Sequence, residues 1–189
     1  MPTTIWDFSV TRPVRCTVGS EVVGRAIVES YDIHDKVGPR NGHFYIVPLY
    51  PMRLVGRDKF GAIQFYDFKV LRFGVSHNAG GPDFMTGKSK QGVSTLTWSD
   101  FLGGSWKLSE YEQVYLHKGP EFPLNRDLAV GAAGCIEVAG HHKWIEFNKR
   151  VRELSGSSNL THIGLEGKFK CELLPAHCPH LQKALAKAA

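Results

Sequence analysis

Apolar positions recur along most of this chain with a period near two, and glycine or proline interrupts them every few residues. That pattern predicts short, half-buried strands joined by tight turns. Residues 1 to 30 alternate weakly, with Ile5, Phe8 and Val10 followed by Val18, Val22, Val23, Ala26 and Val28, and with Gly19 and Gly24 as breaks. The polar stretch from Asp32 to Gly42 contains Gly38-Pro39-Arg40-Asn41-Gly42 and reads as a loop. Phe44 to Val47 is the next strand, which Pro48 and Pro51 confine to a sheet edge or end early, because proline has no N–H for a ladder. Met52 to Val55 and Ala62 to Phe68 form a predicted hairpin around Gly56-Arg57-Asp58-Lys59, with Lys69 to Val75 as a further strand. Ser76 to Gly92, rich in Gly, Ser, Asn and Lys, reads as a long polar loop at the rim of a binding site. Val93 to Trp98, Gln113 to Leu116 and Ile136 to Val138 are three more strand candidates.

The period then changes. Trp144, Phe147, Val151 and Leu154 fall on one helical face, with Lys143, Glu146, Lys149, Arg150 and Arg152 on the others and Gly156 placed to stop the helix. Leu160 to Cys171 alternates loosely and is expected to supply a last strand, before Pro175 and Pro179 break the chain ahead of an Ala/Lys-rich tail. The expected fold is mainly β, one mostly antiparallel domain over residues 1–189 with an amphipathic helix packed on it. Within it, residues 1–43 hold N-terminal strands and a loop, 44–174 the core, and 175–189 the tail.

Composition narrows the function classes. The 189 residues are 42% hydrophobic and 22% charged, enough apolar material for a buried core. No apolar run reaches the roughly eighteen residues of a membrane span. The 23 Lys+Arg and 18 Asp+Glu give a net charge of +5, spread along the chain. Its nearest cluster, Lys143, Lys149, Arg150 and Arg152, reads as a solvated helix face, so no nucleic-acid partner is expected. Met1 to Asp7 carries no basic segment leading into an apolar run, so no ordinary secretory leader is read there. Four cysteines, Cys16, Cys135, Cys171 and Cys178, are too few and too unevenly spaced for a disulfide scaffold, although a Cys171–Cys178 bridge stays open.

Candidate chemistry concentrates between Val114 and Val138. His117 ends one apolar strand, and Cys135 opens the next after Gly131-Ala132-Ala133-Gly134. Small residues let the backbone approach a substrate closely, and they leave amide N–H groups beside the thiol. A thiol is a nucleophile as thiolate, so it needs a base to lower its pKa from about 8.5. A histidine on an adjacent strand end supplies one. Backbone amides at Gly134 and Cys135 would hold the developing oxyanion, each such donor contributing roughly 3 kcal/mol.

These residues resemble the catalytic domain of the L,D-transpeptidase (YkuD-like) family, in which a histidine is followed at a set interval by Ser/Thr-His-Gly-Cys. Here fourteen residues, Lys118 to Gly131, separate His117 from Ala132-Ala133-Gly134-Cys135. The likeness extends from Val114 to Leu154 and includes Gly119-Pro120 after the histidine, Arg126 in the interval and the amphipathic helix after the nucleophile strand. It implies an L,D-transpeptidase-like β domain whose partners are peptidoglycan stem peptides. Cys135 would attack the amide between an L- and a D-centre of a tetrapeptide stem and expel D-Ala. His117 would act as base and then acid, with the carbonyl of Lys118 orienting its ring. Water, a free D-amino acid or another stem's amine would then resolve the thioester, giving carboxypeptidase, exchange or cross-linking activity. No cofactor is implied.

The chain departs from the family pattern at Ala132, Ala133 and Glu137, where the family carries Ser/Thr, His and often Arg or Asn. Those losses fit a divergent branch such as the L,D-transpeptidase-like antibacterial effectors that bacteria inject into rivals. Such a protein acts in the periplasm or cell wall, travels by specialised secretion such as a type VI system, and has an immunity or carrier protein as partner. The alternative is a non-catalytic cell-wall-binding module with the same fold.

Weaker candidates surround this pair. Arg126, Ala133, His77 and His142 are substrate-binding candidates, and His141 beside His142 follows the nucleophile strand closely. The segment from Cys171 to His180 has metal-ligand residue types at spacings that match no usual zinc pattern, so no metal is expected. A papain-like arrangement with Cys16 as nucleophile and His141 or His142 as base is arithmetically open, but no nucleophile turn surrounds Cys16.

Overall fold

The structure, a computed structural model, describes residues 10–29, 44–73, 75–78, 81–84, 91–112, 114–119, 135–177 and 182–183. The alternating segments become β1 (Val14–Val18), β2 (Gly24–Glu29), β3 (Phe44–Arg57), β4 (Ile63–Leu71), β5 (Val75–Asn78), β6 (Gly81–Phe84) and β7 (Gly92–Ser99). They continue as β8 (Ser105–Leu108), β9 (Tyr115–Lys118), β10 (Ile136–Ala139), β11 (Phe169–Leu173) and β12 (Gln182–Lys183), with helices α1 (Lys143–Ser155) and α2 (Leu160–Leu165) between β10 and β11. Strands run in the order β1-β11-β7-β8-β9-β10-β4-β3, and β3 pairs again with β1, so eight strands close into a ring. Closure leaves those eight without an open ladder edge. β2 and β12 extend the first half of β3, while β5 and β6 pair with each other. Most pairs are antiparallel; β1–β11 and β9–β10 are parallel. The fold is mainly β with one main helix, as the periodicity predicts.

Alternation sorts the strand residues onto two faces. One face holds Cys16, Leu54, Val70, Leu96, Trp106 and Leu116, all essentially without exposure. Against it α1 lays Phe147, Val151 and Leu154. Phe147 meets Phe68 edge-on with centroids 5.4 Å apart. A Cβ on Gly56 would stand 2.9 Å from the Leu154 Cβ, so glycine lets the helix ride directly on β3. Asn148 accepts from Trp106 Nε1 at 2.9 Å and donates to Trp144 O at 3.1 Å, which satisfies the indole inside the core. The helix stops at Gly156, whose left-handed backbone (φ 77°) returns its N–H to Arg152 O. Arg12 donates to the terminal carbonyls of Glu153 and Leu154, placing a cation where the helix dipole favours one.

Several elements differ from the sequence pattern for identifiable reasons. β3 runs through both Pro48 and Pro51. Pro48 lies near the end of the β2 pairing and Pro51 just outside the β1 pairing, so the prolines mark where β3 changes partners. Lys69 to Leu71 completes β4, and the predicted loop from Ser76 to Gly92 contains the β5–β6 pairing. Leu160 begins a short helix, not a strand, because Asn159 Oδ1 accepts from the His162 N–H at 3.1 Å and caps it; β11 starts only at Phe169. β8, hidden behind Gly103-Gly104, has no counterpart among the predicted strands.

Phe147→Ala removes the ring that links α1 to the sheet, and is expected to destabilise the fold by about 3–5 kcal/mol in urea unfolding with an unchanged m-value.

Candidate active site

Three buried polar or reactive residues lie where β9 and β10 run parallel. The register pairs Leu116 with Ile136, His117 with Glu137 and Lys118 with Val138. Leu116, Ile136 and Val138 face the core, so His117 and Glu137 share the opposite face. Cys135 immediately precedes β10, two residues before Glu137. All three are buried: Cys135 is 5% exposed, His117 6% and Glu137 2%. Gly119 fixes the approach. Its N–H donates to Val138 O at 2.9 Å, and a Cβ there would stand 2.7 Å from that oxygen and 2.9 Å from the Glu137 Cβ. Any side chain at 119 would push the two strands apart.

The electrostatics of His117 follow from its bonds. Nδ1 lies 2.7 Å from the Lys118 carbonyl oxygen. A carbonyl only accepts, so Nδ1 carries the hydrogen and Nε2 keeps its lone pair. Nε2 is buried and has no hydrogen-bond partner among the described residues. Glu137 Oε1 stands 3.8 Å away, beyond hydrogen-bond distance but close enough to act on any charge the ring acquires. Burial pushes the imidazole below its ordinary pKa, and the bond to Lys118 works the other way. At neutral pH the ring is an uncharged base with a fixed tautomer.

The remaining candidates are distributed unevenly. Arg126, Ala132, Ala133 and Gly134 lie outside the described residues, as does the side chain of His77, whose backbone pairs with Pro82 in the β5–β6 hairpin. His142 is exposed at the start of α1 with left-handed backbone (φ 56°), and its ring lies 3.6 Å from that of His141. Of the two, His141 lines the neighbouring cleft. Cys16 does not suit a nucleophile: it sits mid-strand in β1, 1% exposed, opposite Cys171 of β11, and burial and Cys171 both hold its thiol well above the ordinary value. Cys171 is likewise a buried thiol, while Cys178 and His180 lie outside the described residues.

Two features escaped the reading of the sequence as a line of motifs. Glu137 appears there as a departure from a family pattern, whereas the ladder makes it the neighbour of His117 Nε2. A cleft of about 1100 Å³ on the same outer face, with Lys69, Arg53 and Ala139 in its lining, was also unforeseen. Both depend on which strands pair, which the period of two along β10 does not give. Among the described residues, no helix is long and apolar enough to cross a membrane. Compared with protein-family models, with curated proteins and with solved structures, the chain matches none.

The buried imidazole has a pH signature. The unfolded chain takes up a proton near pH 6.5 and the folded ring only at lower pH, so this site subtracts stability as pH falls below about 6.5. His117→Gln is expected to flatten that part of the curve, measured as the difference from wild type in urea unfolding at pH 7.5 and pH 5. Gly119→Ala is expected to cost about 1–3 kcal/mol in the same assay through overpacking against β10.

Proposed function

We propose that the chain is a cysteine enzyme that forms an acyl-enzyme at Cys135 on peptidoglycan tetrapeptide stems, releasing or exchanging the terminal D-alanine. The observation that carries this reading is the pairing of β9 with β10. It holds a histidine of fixed tautomer whose basic nitrogen has no hydrogen-bond partner among the described residues, and Cys135 immediately precedes the partner strand. His117 Nε2 takes the Cys135 proton, and the thiolate sulfur attacks the carbonyl carbon to form a C–S bond. The imidazolium formed would be costly in a buried site, and the Glu137 side chain at 3.8 Å is positioned to offset that cost when ionised. As the tetrahedral adduct collapses, the C–N bond breaks and the amine leaves with the proton from Nε2. Water then hydrolyses the thioester, or an amine takes the acyl group, with His117 again as base. An antibacterial effector exported by a specialised route fits this reading and the losses at Ala132 and Ala133. Those losses equally favour a second reading, a wall-binding module without turnover.

Purified protein incubated with tetrapeptide muropeptides, with and without D-Met, separates the two by mass spectrometry. Loss of D-Ala, gain of D-Met or dimer formation is expected for wild type, with no product from Cys135→Ala and about 10²–10⁴-fold less from His117→Ala. Identical product profiles for wild type and Cys135→Ala would exclude the enzyme.

A further inference from the structure

The cleft on the outer face has no assigned role, and its chemistry is specific. Its lining includes Thr17, Arg53, Asp67, Lys69 and Ala139, which the ladders place on the face that also carries Glu137 and His117. Its charges are unequally matched. Arg53 holds Asp67 through two hydrogen bonds of 2.7 and 2.9 Å, and Lys143 is paired with Glu146 of its own helix. The Lys69 side chain has neither a hydrogen bond nor an ion pair among the described residues. Val23, Leu49 and Val55 supply apolar wall, which suits small aliphatic side chains. Arg25 also lines the cleft and has an interaction of its own, so among the described residues Lys69 is the lining cation without a matched charge. Such a site between apolar walls suits a ligand with one carboxylate among methyl-sized groups better than a polyphosphate backbone.

The cleft is also in line with the thiol. Lys69 pairs with Ala139 across the β4–β10 ladder. Ala139 and Cys135 are four residues apart on one strand line, about 13 Å at the rise of an extended chain. Gly140 follows with φ 109°, and a Cβ there would meet the Lys143 side chain at 2.9 Å, so the backbone is left bare at this end of the cleft. We infer that the cleft binds an acidic peptide, with Lys69 taking a carboxylate that lies on the order of 10 Å from the carbonyl presented to Cys135. The register along β10 rests on the cysteine-enzyme reading; the recognition of the carboxylate does not.

The test uses the full chain carrying Cys135→Ala, so that binding is measured without turnover. The probes are the tetrapeptide L-Ala-γ-D-Glu-L-Lys-D-Ala and its forms amidated at the glutamate α-carboxyl, at the C-terminus, or at both, titrated by calorimetry. One of the single amidations is expected to weaken binding at least tenfold, and Lys69→Met is expected to weaken the acid form equally while abolishing the difference between acid and amide. Lys69→Arg restores the preference, and far-UV circular dichroism with urea midpoints checks that both variants fold. No detectable binding by the parent, or the same acid-over-amide preference in Lys69→Met, overturns the inference. Lys69-dependent binding by a protein whose Cys135 form gives no product would leave the cleft standing and remove the enzyme reading. Turnover with a KM unchanged by Lys69→Met would do the reverse.

Discussion

Gly119 donates its backbone N–H to Val138 O, continuing the β9–β10 ladder past the point where a side chain would force the strands apart. Everything proposed for the site depends on that contact. It keeps Lys118 in register with Val138, and so keeps the Lys118 carbonyl where the His117 Nδ1–H reaches it. It also packs the chain against Glu137 from the side opposite the core. The parallel direction matters too, because a parallel pair needs a crossover connection. Residues far apart in sequence, His117 and Glu137, can therefore stand at matching levels of neighbouring strands, with Cys135 two residues before Glu137.

The scaffold around this pair resists deformation. Eight strands close on themselves, and α1 ties β10 to β3, β4 and the buried Trp106 through Phe147, Leu154 and Asn148. α1 begins four residues after β10 ends, so the helix that fills the core also anchors the strand next to the thiol. A site built on strands held this way keeps its geometry better than one built on loops. It carries a cost, since His117 and Glu137 lose hydration, and burial alone favours the neutral imidazole. A neutral imidazole is also the form a general base requires.

Much of the fold was legible in the sequence because strand and helix periods are local. The alternation in Val14–Val18 and Val93 to Trp98, and the face of Phe147, Val151 and Leu154, follow from side-chain spacing alone. The candidacy of His117 and Cys135 was legible as spacing and chemistry, since a base and a thiol at two strand ends suggest each other. What could not be read was registration. Nothing local in Glu137 says that it faces His117, and nothing in Lys69 says that it lies across from Ala139, because both depend on which strands pair. β3 misled for a related reason: its prolines break a ladder only where a ladder partner is needed, and they fall where β3 changes partners. Leu160–Leu165 was too short for its helical period to outweigh a loose alternation, and the Asn159 cap decided it.

The central claim is that Cys135 and His117 act as one unit, and the pH dependence of thiol alkylation tests it most directly. Iodoacetamide modification of Cys135, followed by peptide mass spectrometry against Cys16 and Cys171, should be fastest at Cys135 with a midpoint below about 8.5. In His117→Ala that midpoint should rise toward or above the ordinary thiol value. A midpoint that does not move when His117 is removed would contradict the account.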